Sequence, residues 1–155
     1  MPVERSAGII VFHNTPQGRR YLVLRSSRDE STIAKGKNVR EFWDVPKGRL
    51  EQGETGIAAA RREAEEEAGL ENVRIIEGFK ETIRYFTRRE GKAVPKFVAL
   101  FLGEAPSDTV RLSWEHDQFA WLAHDRAVDR LTLKPVKEAV EKAEGFLQKF
   151  REVGG

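Results

Sequence analysis

The chain alternates between short apolar runs and polar stretches rich in glycine, proline and charged residues, a pattern typical of a domain that mixes strands with helices. The apolar runs predict strands or extended segments at Ser6–Phe12, Tyr21–Arg25, Phe42–Val45, Val73–Phe86, Val94–Leu102 and Phe119–Leu122. The first two strands are joined by a turn through Pro16 and Gly18. The fourth and fifth form a long hairpin across Thr87–Ala93, and the unpatterned stretch Arg28–Arg40 is predicted to be a surface loop.

Two segments have the periodicity of helices. The first helix is predicted from Thr55, which can cap its first turn, to Ala68, after the glycine-bearing loop Lys47–Glu54; Gly69 then allows a left-handed stop. The face of this helix that packs on a sheet is expected to consist of Ile57, Ala60, Ala64 and Ala68. The second helix, Lys134–Phe150, has an apolar side made of Val136, Val140, Ala143, Leu147 and Phe150. We therefore predict an α/β fold, with a mixed β-sheet sandwiched between helices, in a single domain over residues 1–155.

Composition excludes several classes of protein. The 155 residues include no cysteine, so there is no disulfide, thiolate metal site or cysteine nucleophile. Apolar runs such as Phe97–Leu102 are far shorter than a membrane span, and we expect a soluble, cytoplasmic protein without a membrane partner. The 27 basic and 25 acidic residues leave a net charge of +2, which does not suggest a nucleic-acid-binding surface. Oligomeric state is left open.

A stripe of carboxylates on the first helix carries the first chemical signal. Glu63, Glu66 and Glu67 are spaced i, i+3 and i+4, so they share one face. Two carboxylates about 6 Å apart repel by roughly 0.7 kcal/mol in water, and by more where water is excluded, which favours a cation nearby. Oxygen ligands without cysteine favour Mg²⁺ or Mn²⁺ over zinc. The alternative is a solvated acidic face, made tolerable by Arg61 and Arg62.

The residues around this stripe resemble the signature of the Nudix hydrolases. Every specified position of that signature is filled, by Gly48, Glu54, Arg62, Glu63, Ala64, Glu66, Glu67, Gly69 and Leu70. The resemblance implies a Nudix-type α/β/α sandwich and Mg²⁺-dependent hydrolysis of a phosphoanhydride in a nucleotide, with Glu63, Glu66 and Glu67 as metal ligands. Glu54 is expected to pair with Arg62 and fix the loop against the helix. The catalytic base is expected to be Glu63, with Glu67 as the second choice.

Further segments look like those of the asymmetric diadenosine tetraphosphate hydrolases, which split their substrate into ATP and AMP. These segments are Ser6–Gly8, Trp43–Gly48, Ile75–Lys80 followed by Tyr85, and Arg111–His116 followed by Trp121-Leu122. The resemblance implies that Lys47 meets substrate phosphates, that Glu115 is an additional metal ligand and that Tyr85 stacks on adenine. Phe146 is a candidate for the other face of the base. Two residues depart from the pattern, since Arg49 and Trp114 stand where those enzymes often have histidine.

Each candidate also has a structural interpretation. Glu115 could cap the turn before Phe119, and Tyr85 could be a half-buried core residue. Lys47 could be a solvated loop lysine, although its place beside Gly48 favours phosphate contact. The substrate-side candidates also include Arg49 and Arg84, the second of which could decorate the hairpin.

Other functions remain open from the sequence. The same chemistry would serve a nucleoside triphosphate pyrophosphatase, an RNA 5′-end pyrophosphohydrolase or an inositol pyrophosphate phosphatase. A small nucleotide is the expected partner, and an RNA 5′ end stays an alternative. A nucleotide-sensing module without catalysis is the rival of another class, and the complete set of carboxylates argues against it.

Overall fold

The computed structural model describes residues 3–27 and 41–154, with side chains up to residue 149. Eight strands occupy the described ranges: β1 (Glu4–Thr15), β2 (Gly18–Ser26), β3 (Trp43–Asp44), β4 (Lys47–Arg49), β5 (Arg74–Ile75), β6 (Glu81–Arg89), β7 (Lys92–Glu104) and β8 (His116–Leu122). The helices there are α1 (Gly56–Ala68), α2 (His124–Arg130) and α3 (Lys134–Gly154). None of these helices is both long enough and apolar enough to cross a membrane.

A single mixed sheet organises the strands around β1. This strand runs parallel to β7 and pairs antiparallel with β2 only near its end. Near its start, β1 pairs instead with β4, through the register Ser6↔Arg49 and Gly8↔Lys47. β2 continues away from β1 to pair with β3 and β8, while β5 and β6 both pair with β7. The predicted mixed sheet is confirmed.

Helices cover both faces of the sheet because successive strand residues point to opposite sides. One layer is a buried cluster that joins β1 to the alanine face of α1: Ala7, Ile9, Val11, Ala59, Ala60, Ala64 and Ala68. The other layer joins the alternate positions of the sheet to α3: Ile10, Phe12, Val98, Leu100, Val136, Val140, Ala143 and Leu147. This is the expected α/β/α sandwich.

Local signals define the ends of α1. The hydroxyl oxygen of Thr55 accepts a hydrogen bond of 3.2 Å from the Ala58 N–H, and the chain leaves the helix at Gly69 with φ of 66°. A residue with a side chain at position 69 would be strained in this left-handed backbone conformation. Its Cβ would also lie only 3.1 Å from the Arg111 Cβ. Capping and helix stop thus follow directly from the sequence.

Some predictions about elements are wrong. Ile57 is 41% exposed instead of packing on the sheet, and Ala59 takes a buried place in α1. The segment Lys47–Glu54 is not wholly a loop, because its first three residues form β4. The long strand predicted over Val73–Phe86 is interrupted into β5 and β6, both held by β7.

Three elements differ in extent from the prediction or lie outside it. The β6–β7 hairpin turns tightly at Glu90-Gly91, both with positive φ, instead of across a seven-residue loop. The short helix α2 was not predicted. The predicted loop Arg28–Arg40 and the side chain of Phe150 lie outside the described residues.

Candidate active site

Arg62 is the central tie between α1 and the preceding loop. Its Nε donates to Glu54 Oε2 at 2.8 Å, one Nη donates to Glu54 Oε1 at 3.0 Å, and the same Nη donates to the Arg49 carbonyl oxygen at 3.0 Å. The hydrogen bonds that Glu54 accepts from Arg62 and from the Glu51 N–H lower its pKa to about 2. The bidentate pair fixes the loop in one position against the helix.

Gly48 and Glu63 are in direct contact across the gap between β4 and α1. A Cβ at position 48 would lie only 2.2 Å from the Glu63 carboxyl group, so that group occupies the space a side chain would need. Glu63 Oε1 also accepts a hydrogen bond of 2.8 Å from Arg62. Burial raises the pKa of Glu63 even though Arg62 opposes the shift. Gly48 is therefore required for the position of this carboxylate.

Glu67 is a buried carboxylate, only 5% exposed. Its Oε2 accepts a hydrogen bond of 2.9 Å from the backbone N–H of Lys47. Burial, followed by the charge of Glu63, raises the pKa of Glu67 to about 9. An ionised Glu67 would be stabilised by a cation beside it, which is the environment of a metal ligand.

Glu66 and Glu115 are the more exposed members of the predicted ligand set. The Glu66 side chain is 59% exposed and contacts Arg62 at 3.3 Å. Glu115 is exposed in a turn whose Ser113 N–H donates to the Glu67 carbonyl oxygen at 3.2 Å. After burial, the charge of Glu115 is among the causes that raise the pKa of both Glu63 and Glu67. Glu63 is therefore close enough to feel the charges of Glu66 and Glu115, and Glu67 those of Glu63 and Glu115.

The donor set suits a hard divalent cation. Within the described ranges, no three acidic or histidine side chains already converge on one point as a metal site. Arg62 occupies two of the carboxylates instead, Glu63 and Glu66. All candidate ligands are carboxylate oxygens, the donors that Mg²⁺ and Mn²⁺ prefer, and the buried Glu67 carboxylate accepts a hydrogen bond from the Lys47 backbone N–H. The residues fit such an ion after rotation of Glu63 and Glu66 away from Arg62.

A cationic cluster lies on the opposite side of β4. Because neighbouring strand residues alternate, Lys47 points away from the Glu63 side and towards Tyr85. Its Nζ contacts the Tyr85 hydroxyl and forms an ion pair of 2.9 Å with Asp44 Oδ2. Although burial alone would lower the pKa of Lys47, the charge of Asp44 raises it. Lys47 is thus an ordered, charged residue at the edge of the carboxylate region, not a solvated loop lysine.

Lys96 belongs to the same cluster and was missed in the sequence. It is the register partner of Tyr85, and its Nζ lies 5.8 Å from the centre of that ring. No carboxylate of the described ranges lies within ion-pair distance of its Nζ, and burial followed by the charge of Lys47 lowers its pKa. Only the register of β6 on β7 reveals this position. We call Lys47, Lys96 and Tyr85 the cationic cluster.

The remaining substrate-side candidates are dispersed. Arg49 is an exposed side chain that donates to the buried carboxylate of Glu4 at 2.6 Å. Arg84 lies next to Tyr85 in β6, so it points to the opposite face of the sheet. Phe146 packs edge-on against Phe79, with ring centres 5.7 Å apart, in the layer beneath α3. Neither Arg84 nor Phe146 is brought into the cationic cluster by the contacts observed.

A large cavity lies elsewhere and contains none of these groups. Its volume is about 1130 Å³, and it opens at the far end of β1, where Arg19 and Glu144 form an ion pair of 2.8 Å. The candidate residues instead collect around the start of β1, β4 and α1. The candidate side chains therefore lie outside this cavity.

Comparison with known proteins identifies the family. The NUDIX domain family matches residues 3–145, and this range contains α1, β4 and every candidate side chain except Phe146. The chain belongs to the Nudix family. It is a Nudix hydrolase, and members of this family generally use a divalent metal ion and act on nucleotides.

Two relatives resemble this Nudix hydrolase over almost its whole length. The mouse asymmetrical bis(5′-nucleosyl)-tetraphosphatase is 32% identical over 149 residues, which cover 92% of this chain and 95% of the mouse protein. The crystal structure of a Caenorhabditis elegans Ap4A hydrolase binary complex matches with a TM-score of 0.78 and 27% identity, covering 95% of this chain and 99% of that chain. A third relative matches a smaller share of the chain. The RNA pyrophosphohydrolase of Bartonella bacilliformis is 27% identical over 138 residues, which cover 79% of this chain and 78% of that protein.

Proposed function

We propose that this Nudix hydrolase cleaves a dinucleoside polyphosphate, and specifically diadenosine tetraphosphate (Ap4A), into ATP and AMP. One observation carries the proposal: β4 separates a group of carboxylates from the cationic cluster, so both lie against one short stretch of backbone at Lys47 and Gly48. A polyphosphate that crosses β4 there would meet lysines on one side and metal-binding carboxylates on the other. The two relatives that cover nearly the whole chain support this choice of substrate.

The carboxylates would hold Mg²⁺ or Mn²⁺. Glu63, Glu66, Glu67 and Glu115 are the proposed ligands, and the bound ion would neutralise phosphate charge and lower the pKa of the attacking water. Glu63 is our choice for the base that accepts the water proton, with Glu67 the alternative. Arg62 and Glu54 act as positioning residues, because Arg62 hydrogen-bonds both to Glu54 of the loop and to Glu63.

The cationic cluster would bind the substrate. The ammonium groups of Lys47 and Lys96 supply positive charge to the phosphates, and Tyr85 offers an aromatic ring for an adenine. The Nζ atoms of Lys47 and Lys96 lie 4.7 Å and 5.8 Å from the centre of the Tyr85 ring. A base that stacks on this ring would take the place of one ammonium group, which would then move towards the phosphates.

A product analysis tests the substrate. Purified protein is incubated with Mg²⁺ and either Ap4A, ATP, a nucleotide sugar, an inositol pyrophosphate or a 5′-triphosphorylated RNA, and the products are separated. We expect Ap4A to have the highest kcat/KM and to yield ATP and AMP in equal amounts. Two molecules of ADP from each Ap4A would contradict the asymmetric cleavage. A higher kcat/KM for release of pyrophosphate from RNA would contradict Ap4A as the preferred substrate. Turnover that persists in excess chelator would contradict the metal requirement.

Lys96→Met tests the cationic cluster. Because Lys96 forms no ion pair with a carboxylate of the described residues, its replacement should leave the fold intact and raise KM for Ap4A by roughly tenfold, the effect of losing one charge-assisted phosphate contact. Lys92→Met, an exposed substitution on the same strand, is the control and should not change KM. Equal KM values for the two variants would contradict a role for Lys96 in substrate binding.

A further inference from the structure

Trp114 is displayed at the apex of a tight turn and is 86% exposed. The turn is closed by the His116 N–H, which donates to the Ser113 carbonyl oxygen at 3.3 Å, and Trp114 is the second of its four residues. The other tryptophans have different environments. Trp43 is buried, and the Trp121 indole N–H donates to the Asp108 carbonyl oxygen at 2.9 Å. Tryptophan side chains are on average largely buried in folded proteins, so the exposure of Trp114 is unusual.

The backbone that carries Trp114 is held on two sides. The Ser27 hydroxyl donates to the Trp114 carbonyl oxygen at 2.7 Å, and the Ser27 N–H donates to the Glu115 carbonyl oxygen at 2.9 Å. On the other side, the Ser113 N–H donates to the Glu67 carbonyl oxygen at 3.2 Å. The turn is therefore attached both to the end of β2 and to the last turn of α1, so the indole projects from a fixed base.

Trp114 is also next to the proposed chemistry. Its chain neighbour Glu115 is a proposed metal ligand, and the turn is bonded to Glu67 through the backbone. A dinucleoside polyphosphate carries a base at each end, whereas the cationic cluster offers one aromatic ring, Tyr85. An exposed indole beside the carboxylates has the surface that stacks on a purine, and such stacking does not require hydrogen bonds to the base.

We propose that Trp114 stacks on the second nucleobase of a dinucleoside polyphosphate, the base farther from Tyr85. This inference rests on the proposed function, and it assigns the second binding subsite to the turn Ser113–His116. The subsite would distinguish dinucleotides from substrates with a single nucleoside.

The test compares two substrates that differ by one nucleoside, Ap4A and adenosine 5′-tetraphosphate. With Trp114→Ala, we expect KM for Ap4A to rise about tenfold, equivalent to about 1.4 kcal/mol, while kcat for Ap4A and both constants for adenosine 5′-tetraphosphate stay unchanged. Trp114→Phe, which keeps an aromatic face, should restore most of the lost affinity. Phe119→Ala removes another exposed aromatic residue outside the turn and is the matched control. An equal change for both substrates, or no change for Ap4A, would overturn the proposal.

A fluorescence titration separates this inference from the proposed function. A methylene-bridged analogue of Ap4A is added to the wild-type protein and to Trp114→Phe in the presence of Mg²⁺, and tryptophan emission is followed. Quenching in the wild type that is largely lost in the variant supports stacking on Trp114, even if the protein turns over neither nucleotide and the proposed activity fails. Equal quenching in both proteins, or none in the wild type, would overturn the proposal even if Ap4A is hydrolysed.

Discussion

Glu67→Gln is expected to reduce turnover of the preferred substrate by on the order of 10²- to 10³-fold while the protein stays folded. The amide keeps the volume of the side chain and the oxygen that accepts the hydrogen bond from the Lys47 N–H. It removes the negative charge that a divalent cation requires. Steady-state kinetics under saturating Mg²⁺, with circular dichroism to verify the fold, measure both effects.

Glu65→Gln is the matched control, because Glu65 is an exposed carboxylate on the same helix and is not a proposed ligand. It should retain full activity. Without metal, Glu67→Gln should be at least as stable as the wild type above pH 5. Burial raises the folded-state pKa of Glu67 to about 9, so ionisation costs the folded state more as the pH rises from the unfolded value of 4.5. Near-normal activity of Glu67→Gln would contradict its role as a metal ligand.

Gly48→Ala is expected to lower kcat by about 10²-fold with only a small loss of stability. The new methyl group would lie 2.2 Å from the Glu63 carboxyl group, which must move. A flexible side chain can move away at little cost in stability. The expected effect is therefore on the position of Glu63, the proposed catalytic base, where a displacement of about 1 Å is enough for such a loss. Kinetics and thermal unfolding measured on one preparation separate the two effects.

Two controls show whether Gly48 acts through Glu63. Gly145→Ala, in α3 and with no atom near the added Cβ, should leave kcat unchanged. In a background with Glu63→Ala, Gly48→Ala should cause little further loss, because the group it displaces is gone. Additive losses in the double variant would show that Gly48 has a different role.

The loop and helix of the site could be predicted because their determinants are local. The Thr55 cap, the Gly69 stop and the spacing of Glu54, Arg62 and Glu63 all act within about four turns of one helix and its flanks. The helical periodicity of apolar residues was a less reliable guide to which side of α1 is buried. It placed Ile57 on the packed face, but the sheet lies under Ala59, so Ile57 is exposed.

The parts of the site that depend on long-range register could not be predicted. Lys96 meets Tyr85 only because β6 and β7 pair as they do, and Glu4 meets Arg49 and Arg89 across separate strands. The burial of Glu67 depends on the position of β4, which the sequence indicated only as a loop. The residues that meet in these contacts are far apart in the sequence, and the residues next to them in the chain do not indicate that they will meet.

Calorimetric titration with Mn²⁺ tests the central claim most directly, namely that the glutamates of α1 hold a divalent cation against a polyphosphate. The wild type and Glu65→Gln should bind Mn²⁺ saturably, and more tightly when the methylene-bridged Ap4A analogue is present. Glu67→Gln should bind at least tenfold more weakly, a loss of about 1.4 kcal/mol or more. Equal affinity in Glu67→Gln and the wild type, or no saturable binding by the wild type with the analogue present, would contradict the account.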